Sequence, residues 1–245
     1  MTKKKDDSGY LNTCLEKEDR ITQRALRQLK KENEFYKRSF DLLYDLTSNL
    51  YDLTFSKVPS RGKFAILAMQ PRLLGSLRSV RILGLKGYHY DVAILERSII
   101  ENIGLCAYFA THEEEAMGWL TGKKISIPKI RLTDEIVSFL TSQKVKEFQD
   151  GKAVYGRLSD YVHNSVRAIA RSFLSPSPSN GKLKFDVEFP PRFRKEKTLD
   201  FSAYSILLLF VLIIAFKEEI DKKLFEKMWA FIEEYVADAK STQPE

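Results

Sequence analysis

The stretch YGRLSDYVHNSVRAIARSF, residues 155–173, holds the most informative polar cluster of the chain. Leu158, Val162, Val166, Ile169 and Phe173 recur at helical spacing, and at about 100° per residue Ser159 and His163 fall together on the shoulder of that apolar stripe. A histidine titrates near neutrality. His163 is therefore either a general acid/base facing an interhelical groove or a satisfied structural histidine. In GYHYDVAILERSIIENIGLCAYFAT, Arg97 and Glu101 are four residues apart and share a helical face that continues through Gly104 and Tyr108. Charges in the middle of an otherwise apolar helix need a partner or a ligand. The two either form an intrahelical ion pair, anchor a neighbouring helix, or wall a cleft. Mutual satisfaction is the cheapest arrangement for such groups, which predicts that Arg97, Glu101, Ser159 and His163 converge.

Other chemistries find no residues to perform them. His89 and His112 lack HxxxH spacing, Cys14 and Cys106 lie far apart outside any CxxC pattern, and Gly-rich phosphate loops, GxSxG elbows and paired catalytic carboxylates are missing. Neither a metal nor a cofactor is expected. Charge is distributed less evenly. With 40 Lys and Arg against 33 Asp and Glu the net charge is +7, yet no acid occurs between Leu53 and Tyr90, where Lys57, Arg61, Lys63, Arg72, Arg78, Arg81 and Lys86 supply seven cations. This basic segment either binds the phosphates of RNA or another anionic surface, or pairs with acids such as those at 113–115. FPPRFRKEK adds Arg192, Arg194, Lys195 and Lys197 on a loop with interleaved Phe.

The elements that position these groups read as helices. The chain has 245 residues, 44% of them hydrophobic and 30% charged, which is a globular composition long enough for a core without disulfides. Only 11 Gly and 8 Pro are present, too few for the turns of an all-β chain of this length. The pattern predicts a basic disordered tail over 1–15, an N-terminal helical extension over 16–62 and a helical bundle over 63–240. The extension carries Ile21, Leu29, Phe40, Leu43, Leu46, Leu50 and Leu53 at spacings of three and four, and its polar first half either packs along an edge or pairs with a partner protein's helix. Residues 64–85 are helical with Pro71 expected to kink or restart the helix, 90–111 form a central helix apolar nearly all round, and 113–120 a short one. Thr133 is placed to cap a helix ending near Gln149. The Pro- and Ser-rich loop SPSPSNG is followed by a short strand over 184–189, room for an isolated β-ribbon. Two helices close the chain, 201–216 and 220–237. The first, FSAYSILLLFVLIIAF, is uncharged over 16 residues, short of the roughly 20 a membrane span needs, so it is expected in the protein core rather than in contact with a membrane. The fold class is all-α, a multi-helix bundle, cytoplasmic and self-associating as a homodimer.

The order of motifs resembles a family of largely prokaryotic helical proteins of unknown function. Its pattern is a helix with Arg-Ser-x-x-Glu, a Trp-Leu segment, then Leu-Ser-x-x-x-His, matched here by Arg97, Ser98, Glu101, Trp119, Leu120, Leu158, Ser159 and His163, over about residues 73–167. More distantly the spacing of Arg157 and His163 is similar to that of HEPN domains, whose ribonucleases use an Arg and a His a few residues apart. That resemblance implies metal-independent RNA cleavage in a dimer cleft, in toxin-antitoxin or defence systems, with His163 moving protons and Arg157 or Arg97 stabilising phosphate charge. Leu158 stands where the HEPN motif has a polar residue. A continuous helix sets Arg157 about 120° from His163, so the two converge only where a helix starts near Leu158.

Overall fold

The structure, a computed structural model, describes residues 10–56, 58–123, 135–136, 138–139, 174–176, 183–185 and 201–241. The described residues fold as an all-α bundle made of α1 (Tyr10–Gln28), α2 (Lys30–Ser56), α3 (Arg61–Lys86), α4 (His89–Phe109), α5 (Glu113–Leu120), α6 (Phe201–Ala215) and α7 (Lys222–Ser241). Between α5 and α6 two short strands, β1 (Leu174–Pro176) and β2 (Leu183–Phe185), pair antiparallel with Ser175 opposite Lys184. The second strand begins one residue before the alternation over 184–189, of which residues 186–189 lie outside the described residues.

At the middle of the bundle is α3, which packs on α1, α2, α4, α5 and α6, while α2 and α4 each also pack on α6. Ser60 caps α3 by accepting a hydrogen bond from the Lys63 backbone N–H at 3.4 Å. At the other end Gly87 adopts φ 88°, the left-handed conformation that lets the Tyr88 N–H reach the Leu83 carbonyl at 2.9 Å. The expected break at Pro71 does not occur, since α3 runs through it. Proline has no N–H to give the carbonyl four residues back, that of Leu67, and the Tyr51 hydroxyl of α2 donates to that carbonyl at 2.7 Å instead. Burial raises the Tyr51 pKa above its usual value, which keeps the hydroxyl protonated as a donor.

The helical extension expected over 16–62 is divided at Leu29, although the Leu29 N–H still bonds Ala25 O at 2.8 Å and the Asn33 N–H bonds Leu29 O at 2.9 Å. Ala25, Leu29, Leu43, Leu46 and Leu50 from this region belong to the same apolar cluster as Leu73, Leu77, Ile99, Ile103 and Phe109. The apolar run at 201–216 lies in the core as expected. Leu208, Leu209, Val211, Leu212 and Ile213 are fully buried, and no helix of the described residues is long and apolar enough to cross a membrane. Two hydroxyls lock this helix to α2 in the dry interior: Ser39 Oγ lies 2.5 Å from Ser205 Oγ, and each also reaches a carbonyl of its own helix, Tyr36 O at 2.9 Å and Ser202 O at 2.8 Å.

Candidate functional site

Arg97 and Glu101 project from the middle of α4, and the Arg97 Nε donates to Glu101 Oε1 at 2.9 Å with both side chains largely buried. The same helix runs a second polar contact beside it, in which the Asn102 amide donates to the Ser98 carbonyl at 2.6 Å. Asn102 escapes a search for charged or titratable residues, but its i,i+4 spacing from Ser98 was the available signal. Glu96, one residue before Arg97, is a buried carboxylate that the pattern also passes over. Trp119 packs on Phe109 with ring centroids 5.6 Å apart, fixing α5 to the end of α4. Arg157, Ser159 and His163 lie outside the described residues, as do Thr133, the helix ending near Gln149 and the basic residues of FPPRFRKEK.

The basic segment is largely engaged within the chain. Arg61 pairs with Glu114 at 3.2 Å, Lys63 with Glu219 at 2.6 Å and Lys86 with Glu18 at 2.7 Å, while Arg81 donates to the Asn33 side chain at 2.9 Å and lies over the Tyr36 ring. Arg72 and Arg78 are exposed and form no ion pair with a described residue, and Lys57 lies outside the description. The Glu18 carboxylate is the most heavily coordinated of these acids. Besides Lys86 it accepts from the Tyr88 hydroxyl at 2.5 Å, so α1 is fastened to the turn between α3 and α4. The hydrogen bond from Lys86, then that from Tyr88, hold Glu18 below the usual carboxylate range despite its burial. Desolvation and this same carboxylate push the Tyr88 phenol up.

His112 and Cys106 hold structural places. His112 stacks on Tyr108 with ring centroids 3.9 Å apart, and its Nδ1 is 3.0 Å from the Tyr108 carbonyl. Cys106 is fully buried beside Gln70, and burial pushes its thiol up to about 12, far from a reactive thiolate. A groove of about 780 Å³ separates the start of α2 from the end of α7. Phe35 lines it, and the pairs Lys31 to Asp238 and Arg38 to Glu234 cross it, the latter bidentate at 2.7 Å for both bonds. The described lining contains no Ser, Thr, Cys or His. No protein-family model matches the chain, and neither a curated protein nor a solved structure does.

Proposed function

We propose that the chain is a non-catalytic helical interaction module, in which Arg97, Glu101, Ser159 and His163 fix helix register. The observation that carries this reading is the Arg97 to Glu101 bond at 2.9 Å, which gives both charges a partner within α4 and presents neither as an unpaired group to a ligand. The engagement of Arg61, Lys63, Arg81 and Lys86 by side chains of the same chain points the same way. The proposed compartment is the cytoplasm, supported by two buried free cysteines, Cys14 and Cys106.

A second reading is an HEPN-like, metal-independent ribonuclease of a defence or stress system, acting as a homodimer. Arg72 and Arg78, exposed on a helix without a single acid, favour contact with RNA phosphates. RNA incubated with the purified protein in EDTA separates the two. The interaction module leaves RNA intact, and His163→Ala lowers its stability by more than about 1 kcal/mol. The ribonuclease cuts RNA, and the same substitution abolishes cleavage with stability held within about 1 kcal/mol.

A further inference from the structure

The outward face of α3 is composed unlike a solvent face. Apart from Arg61, which pairs with Glu114, its exposed positions are Phe64, Ala68, Pro71, Arg72, Gly75, Arg78 and Ile82, with Phe64 at 51% and Ile82 at 40% exposure. At roughly 100° per residue, Phe64 and Ile82 fall on one line five turns apart, Pro71 and Gly75 lie within about 20° of that line, and Arg78 and Arg72 stand on its opposite sides. The result is a strip about 27 Å long, apolar at both ends, low in the middle and edged by cations. A solvated helix face carries acids and bases in mixture, whereas residues 61–86 include no acid.

Gly75 sharpens the point. A Cβ built there meets nothing within 4 Å, so the fold itself does not require glycine. Glycine inside a helix is less favourable than alanine. An exposed glycine between two cations instead leaves room for another backbone to come close.

The charge on the strip selects among occupants. A second copy docked antiparallel about Gly75 would set Arg72 against Arg78 of its twin, three residues to either side of the centre, and like charges opposed in this way repel. Single-stranded RNA needs stacking rings along its path, and between Phe64 and Ile82 the strip offers Ala68, Pro71 and Gly75. A helix whose apolar line meets Phe64 and Ile82 and whose flanking carboxylates meet Arg72 and Arg78 satisfies every exposed group. We propose that the Phe64 to Ile82 face of α3 is a docking strip for an acidic amphipathic helix of a partner protein. This rests on the interaction-module reading and supplies its surface and partner class.

The full chain is panned against a phage-displayed library of randomised helical peptides, and hydrogen exchange maps where the enriched peptides protect it. The expected result is enrichment of helices with Asp or Glu flanking an apolar line, with protection confined to the exposed turns of 64–82. Gly75→Leu, for which the structure has open space, weakens binding at least tenfold without lowering the melting temperature. The double variant Arg72→Glu, Arg78→Glu, with an unchanged melt, reverses the preference toward basic helices. Failure to enrich peptides, enrichment of peptides without acids, or protection elsewhere overturns the proposal, as does protection of 64–82 by single-stranded RNA or by phosphatidylserine vesicles in place of peptide. RNA cleavage lost in His163→Ala would instead sink the interaction-module reading, an outcome visible without any peptide.

Discussion

At the scale of single residues, the close approach of Gly62 to the end of α4 leaves no room for a side chain. A Cβ at position 62 would lie 2.1 Å from the Phe109 carbonyl oxygen, a backbone atom that cannot swing aside. Gly62→Ala should therefore destabilise by about 1–3 kcal/mol in a thermal melt, although alanine is the better helix former. Gly75→Ala, in open space on the same helix, should raise stability by up to about 1 kcal/mol. Equal effects at the two sites would show that helix propensity alone is at work. Glu18 sets a pH dependence. Its folded pKa lies below the ordinary carboxylate value because of Lys86 and Tyr88, with Asp91 and Cys14 also near the phenol. The stabilisation it confers is fully present above the model-peptide range near 4.5 and is lost as pH falls through the lower folded value. Hydrogen exchange of α1, taken relative to the intrinsic rate at each pH, should accelerate below about pH 4.5 in the wild type. In Glu18→Gln it should be fast at neutral pH already and lose that acid dependence.

At the scale of elements, α3 depends on its neighbour for an internal bond. Removing the Tyr51 hydroxyl leaves the Leu67 carbonyl without the partner that Pro71 cannot supply, so Tyr51→Phe should cost about 1–3 kcal/mol. Restoring the N–H with Pro71→Ala should recover most of that loss, and a double-mutant cycle of the four proteins should be non-additive by about 1 kcal/mol or more. Additive effects would mean that the hydroxyl acts through packing alone. The sequence pattern marks Pro71 as a helix breaker because the rule concerns one helix at a time, and the compensating donor sits 16 residues earlier on a different one. The same reasoning explains why Arg97 with Glu101 was legible and Glu18 with Tyr88 was not. The first pair is one helical turn apart in sequence, whereas the second spans 70 residues and joins three elements. The existence of α3, α4, α6 and α7 follows from their apolar patterns, since each buries most of the apolar residues that mark it, whereas α5 buries Ala116 alone. Lines such as Leu43, Leu46 and Leu50 say only that a face is buried and not against which helix.

At the scale of the whole molecule, α6, with most of its side chains buried, is a packing surface shared by α2, α3, α4 and α7. Leu208→Lys would place a charge among atoms with no polar partner and should destabilise by several kcal/mol, seen as a fall in the urea midpoint. The wild type should remain in solution without detergent, and recovery only with the membrane fraction would contradict the core placement. Arg38 and Glu234, which tie α2 to α7 bidentately, lie half exposed, and removing either should change stability by no more than about 1 kcal/mol. The bundle is thus held by apolar burial on α6, with the ion pairs setting where its helices end up.

The Ser39 to Ser205 contact also fixes a timetable for biosynthesis. The two hydroxyls are 166 residues apart, and at the usual 5–20 residues per second the ribosome needs roughly ten to thirty seconds to travel from one to the other. Throughout that interval Leu43, Leu46 and Leu50 have been made while α6, the surface α2 packs on, has not. The nascent chain therefore carries the α6-facing side of α2 uncovered while those 166 residues are made. Truncated chains ending before residue 201 should consequently associate with holdase chaperones on stalled ribosomes, and release should coincide with emergence of the closing pair of helices.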